Sequence, residues 1–152
     1  MKQWALEQLA AIYDHDLYFA SFVTAVDELN DYEAFYRAEA GQVNTIAEII
    51  HHLDFYNDRF LSRFRGEEVA LLPSSYNTFL VDRNTTLNRL VGEADKTYRD
   101  FRKAIRFSSD EKMVKWSSEL SRLWLHNAYH IGQIVHIRKE FGAWNKRSLL
   151  KG

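Results

Sequence analysis

Cysteine is absent from this 152-residue chain. Its absence excludes disulfides, thiolate metal sites and a cysteine nucleophile, and it fits a reducing, cytoplasmic compartment. Proline occurs once and glycine six times. Proline breaks helix interiors and otherwise punctuates loops, so its scarcity predicts long helices. Long apolar runs are missing too. Histidine, asparagine, glutamine or a charge interrupts each one, short of the ~18 residues of a membrane span. The opening MKQWALEQLA has no basic stretch leading into an apolar core, so neither a secretory signal nor a membrane partner is expected.

Aromatic residues, by contrast, are plentiful. Four tryptophans, eight tyrosines and ten phenylalanines exclude a disordered tail and suit one domain, residues 1–152, able to bury a core without disulfides. The net charge of −1 conceals an asymmetry. Met1 to Asp58 carries 2 basic and 11 acidic residues, a net −9, whereas the remainder carries 18 basic and 10 acidic, a net +8. The basic residues from Arg83 to Arg106 have acids between them along a predicted helix. They are not gathered on one face with stacking aromatics, so nucleic acid is not an expected partner. The reading is an acidic half packed beside a basic half, with solvated faces.

Apolar spacing predicts an all-α fold, a four-helix bundle. The first helix is predicted over 3–29, with Ala5, Leu9, Ile12, Phe19, Ala20, Val23 and Val26 as its stripe. The second is predicted over 46–64. Thr45-Ile46-Ala47-Glu48 has the form of a capping box, and Gly66 is a plausible stop. Residues 66–77, with Pro73, read as a loop. A third helix is expected over 79–105 and a fourth from 112 or 117 to 141, ending at Gly142.

Six histidines are present, and His126 and His130 in HNAYHIGQI are the informative pair. Residues four apart on a helix share a face, so both imidazoles can reach one ion. Leu123, Ile134, Ile137 and Phe141 fall on that face, which makes the pair core-facing. Buried imidazoles need partners, either a metal or hydrogen bonds within the core. HNAYH lacks the glutamate of HExxH, so a metalloprotease is excluded. A third ligand from the second helix is either His51 or His52, which flank its apolar stripe on opposite sides; Ile49 and Tyr56 extend the buried arc toward His52. His15 and His136 read as surface or interface residues. Glu48 and His51 form one Glu-x-x-His, but a di-iron site needs two. Asp16 falls within the first predicted stripe. It is read there as orienting a ligating histidine, reaching the bundle end or pairing with an arginine. Gln133, one turn after His130, is read as a hydrogen-bond partner of a ligand or as a core amide.

TIAEIIHHL followed much later by HNAYHIGQIVHIRKEFG resembles the DinB/YfiT-like family of damage-inducible bacterial proteins, which are distinct from the DNA polymerase of the same name. The resemblance covers nearly the whole chain, and H-x-x-x-H-x-G-Q with Ile137-Arg138 and a closing glycine is its most specific part. It implies a four-helix bundle holding a divalent metal through His52, His126 and His130, with zinc the default and nickel, manganese or iron also accepted. It further implies a homodimer, for which Trp124, Leu125 and Tyr129 are candidate contacts. Ile131 stands where the family often has a basic residue. Characterised relatives include transferases of low-molecular-weight thiols such as bacillithiol. The implied function is therefore a metal-dependent enzyme acting on a small-molecule substrate, a thiol S-transferase. The alternatives are a hydrolase using metal-bound water and a non-catalytic metal-binding stress protein. With no cysteine in the chain, any thiol arrives as a co-substrate. Tyr13, Tyr56, Trp116 and the 66–77 loop are candidate pocket residues.

Overall fold

A computed structural model describes residues 1–38 and 43–144, and every regular element among them is a helix. In chain order these are α1 (Lys2–Tyr13), α2 (Phe22–Val26), α3 (Asp31–Phe35), α4 (Ile46–Arg65), α5 (Leu87–Arg106) and α6 (Asp110–Glu140). The four expected helices are recognisable in α1, α4, α5 and α6. Their boundaries differ substantially from expectation in two places, α2 is the detached end of the first expected helix, and α3 is an additional single-turn element. No helix among the described residues is long and apolar enough to cross a membrane.

The first difference is that the helix expected over 3–29 is not continuous. It stops at Tyr13 and restarts at Phe22. Asp16, expected on a helical stripe, lies in the break. Its Oδ1 accepts the Ser21 backbone N–H and hydroxyl, both at 2.8 Å, and its Oδ2 accepts the Thr24 hydroxyl at 2.8 Å. Ser21 in turn caps α2 through Thr24 N–H. Asp, Ser and Thr offer the backbone local alternatives to the helical ladder, and here the three act together. Phe19 and Val23, read as stripe residues, are exposed. The second difference is that α5 starts at Leu87, so the loop after α4 extends to 86. Asn77 accepts Phe79 N–H, Asp82 accepts Asn84 N–H and Thr86 accepts Arg89 N–H. These side-chain bonds hold turns until Thr86 launches the helix. Leu80, expected on the stripe, is 70% exposed.

The chain forms two compact units, Met1–Leu29 with Asp100–Gly152, and Asn30–Arg99. In the first, α1 and α2 pack on each other and on α6. Leu9, Ile12, Phe22, Leu120, Ile131 and Ile134 are buried there, and Phe101 meets Trp124 edge-on at 5.1 Å. Arg138 of α6 is 3% exposed and donates to the carbonyls of Ala25 at 2.9 Å and Asp27 at 2.8 Å. A cation thus satisfies the free carbonyls at the end of α2. Asp14 and Arg102 form a two-pronged ion pair at 2.6 and 2.9 Å.

In the second unit α3 packs on α4. The Thr45–Glu48 capping box is present in full, and Gly66 closes α4 at φ 87°, a left-handed conformation suited to glycine. Arg37 pairs with Glu48, and Arg59 reaches the Ala70 carbonyl in the loop after α4.

Candidate functional site

The length of α6 decides what its histidines can do. Ser109 caps it through Lys112 N–H, no proline interrupts it, and Gly142 follows its end at φ 69°. His126 and His130 therefore sit one turn apart on an unbroken helix. Their ring centroids are 4.6 Å apart, edge to face. His130 is buried and its Nδ1 lies 2.7 Å from Gln133 Oε1. An amide oxygen only accepts, so Nδ1 carries the proton and Nε2 keeps its lone pair. Burial lowers the pKa of His126 to about 4, aided by the charge His130 would carry. Burial also lowers His130, against the opposing effect of the Gln133 bond. Both rings are thus neutral near pH 7, the form in which imidazole binds a metal.

On α4 the two adjacent histidines diverge by about 100° around the helix axis, and their surroundings differ. His52 is 7% exposed. Its Nδ1 lies 2.7 Å from Thr78 Oγ1, Phe79 stacks on its ring at 3.9 Å and 5°, and Tyr56 meets its edge at 4.9 Å. His51 is half-buried and lines a cavity of about 440 Å³ with Asp54, Asp58, Arg59, Glu68 and Glu93. Burial lowers its pKa while Glu93 pulls it up. Of the pair, His52 is the one held in a defined orientation.

The remaining expected residues fall as follows. Gln133 touches His130. The Asp16 carboxylate is engaged by Ser21 and Thr24. Burial raises its pKa, but the Ser21 N–H and the two hydroxyls outweigh that and leave it below the usual value. His15 and His136 are exposed, in line with the surface reading. Trp124 is buried against Phe101 and is no contact for a second chain, whereas Leu125 and Tyr129 are 71% and 66% exposed. Of the pocket candidates, Tyr13 is buried, Tyr56 is exposed and Trp116 is half-buried.

Sequence patterns did not single out Thr78 and Phe79. The only local signal was Asn77, whose side chain accepts Phe79 N–H and turns the chain there.

A family model described as the DinB superfamily matches residues 18–134, a span that includes His52, His126, His130 and Gln133. No curated protein and no solved structure gives a significant match.

Proposed function

The chain belongs to the DinB superfamily, and from that premise we propose that it is a metal-dependent protein in which His52, His126 and His130 together hold one divalent ion. The observation that carries this reading is the α6 pair: two imidazoles 4.6 Å apart, both kept neutral by burial, on one helix face. The donor chemistry fits. Nitrogen donors in the neutral state suit zinc, and nickel, manganese and iron also accept imidazole. Gln133 orients His130 by fixing which nitrogen carries the proton.

Three protein ligands leave positions open to a small molecule, as in catalytic rather than structural sites. When bound, the ion supplies Lewis acidity that lowers the pKa of a coordinated water or thiol. The reading adopted is thiol S-transfer to a small-molecule substrate with a low-molecular-weight, bacillithiol-like thiol as co-substrate. The chain has no cysteine of its own to serve as the thiolate. The residues present contribute binding, orientation and exclusion of water. Hydrolysis by activated water and metal binding without turnover are the competing readings.

A homodimer and a cytoplasmic setting complete the proposal, with the whole chain taken as one domain. Val114, Leu125, Tyr129 and Gly132 share an exposed face of α6. A glycine in an exposed helix interior lowers helix stability by about 1 kcal/mol and lets another backbone approach closely, which supports a contact between copies along this face.

Metal analysis of untagged protein tests the central reading. About one divalent ion per chain is expected. His126→Ala and His130→Ala should abolish binding, and His136→Ala should retain it. Stoichiometric metal in His130→Ala would sink the proposal. If metal is present, conjugation of a thiol to a generic electrophile separates a transferase from a binding protein.

A further inference from the structure

We propose that the 77–79 segment is a positioning clamp for His52: Thr78 Oγ1 accepts the Nδ1–H of His52 and thereby holds Nε2 as the lone-pair donor, while Phe79 fixes the plane of the ring. The inference rests on the metal reading above and names the residues that orient its ligand on α4.

A neutral imidazole carries one N–H, and only the other nitrogen can bind a metal, so the partner of one nitrogen decides what the other can do. His52 Nδ1 and Thr78 Oγ1 are 2.7 Å apart and both residues are buried, at 7% and 8% exposure. Little water reaches this bond to compete with it. Stacking on Phe79 at 3.9 Å and 5°, with Tyr56 at the edge, prevents the ring from tilting out of that plane. A half-turn of the ring within the plane would put carbon against the Thr78 hydroxyl and leave that buried group unpaired.

The same device occurs at His130, where Gln133 Oε1 sits 2.7 Å from Nδ1. Two histidines, on different helices and with partners of different chemistry, thus both have an oxygen at hydrogen-bond distance from Nδ1. His51, adjacent to His52 on α4, has no hydrogen-bond partner among the described residues.

The clamp is itself held in place. Asn77 Oδ1 accepts Phe79 N–H at 3.0 Å, Pro73 accepts Tyr76 N–H at 3.0 Å, and the Tyr76 ring stacks on Phe55 of α4. The orientation of the α4 ligand is therefore set from a loop, and loosening that loop loosens the ligand.

The test compares wild type with Thr78→Val, which keeps the shape and loses the hydroxyl, and Thr78→Ser, which keeps the hydroxyl. Nitrogen NMR of metal-free protein labelled at histidine reads the tautomer of His52, and chelator competition reads zinc affinity. Wild type and Thr78→Ser should show the proton on Nδ1 and bind zinc alike. Thr78→Val should lose the single tautomer and bind zinc about 10–100-fold more weakly. A wild-type His52 protonated at Nε2, or a folded Thr78→Val that binds zinc as tightly as wild type, overturns the clamp. The wild-type tautomer needs no variant, so it decides even if Thr78→Val does not fold. If wild type takes up no zinc, the metal reading fails separately. In that case a proton on Nδ1 that Thr78→Val releases upholds the clamp.

Discussion

Replacing Asp54 by asparagine should stabilise the protein at neutral pH and have little such effect in acid. Asp54 is a carboxyl group in an unfavourable position. Burial raises its pKa to about 6, and the neighbouring Asp58 and Glu93 add to this against opposing help from the Thr97 hydroxyl and Lys96. Its Oδ1 is buried without a hydrogen-bond partner. The ordinary value is 3.8, so the folded protein binds the proton more tightly than the unfolded chain. The favourable contribution of the protonated group is fully present below pH 3.8 and is lost as pH rises through 6. The difference corresponds to about 3 kcal/mol at most, and ~2 kcal/mol after allowing for solvent screening. Asparagine removes the ionisation and keeps the shape of the side chain. Its own burial cost does not depend on pH, so the change with pH is the clean quantity. The stability difference between Asp54→Asn and wild type should rise by about 2 kcal/mol from pH 4 to pH 7 and be flat above. Near neutral pH this amounts to a melting-temperature gain of about 4–8 °C. Urea unfolding at half-unit pH steps measures it, with carbon NMR of the Asp54 carboxyl as a direct check. A difference that is constant from pH 4 to pH 8, or one that falls as pH rises, refutes the reasoning.

Other perturbations follow from single observations. Arg138→Met leaves the Ala25 and Asp27 carbonyls without their buried donor and should lower unfolding free energy by about 2–4 kcal/mol; a loss below about 1 kcal/mol in denaturant melts would contradict that role. Gly66→Ala and Gly92→Ala should move stability in opposite directions. At Gly66 a Cβ meets no atom, so the left-handed φ alone should lower stability by about 1 kcal/mol. At Gly92, inside α5 and equally open, alanine should raise it by about 0.5–1 kcal/mol. Two melting curves check the pair. In metal-free protein His126, lowered first by burial and then by His130 to about 4, contributes stability above pH 6.5 that is lost as pH falls toward 4. The ring is half-exposed, so about 1–2 kcal/mol is expected after screening. His126→Gln should flatten the stability profile over that interval, and an unchanged slope would count against it.

The sequence by itself determined what depends on neighbours a few positions away. The all-helical class, the ends of α4 at Thr45–Glu48 and Gly66, the stop at Gly142 and the shared face of His126 and His130 follow from periodicity and capping chemistry within one or two turns. Tertiary structure decided what depends on competition between nearly equal local options or on distant partners. Whether 14–21 continued a helix turned on Asp16, Ser21 and Thr24 bonding one another, a choice periodicity does not encode. Residues 79–86 likewise kept their turns although their apolar spacing was helical. His51 and His52 were only weakly distinguished along the chain, and in the fold their surroundings differ, since His52 has a partner 26 residues away in Thr78. Arg138 found carbonyls 113 and 111 positions earlier, and Trp124 was buried rather than left for a second chain. Helical spacing places a side chain on a face, but the partner that fixes a ring nitrogen or satisfies a buried cation is supplied only when distant segments pack together.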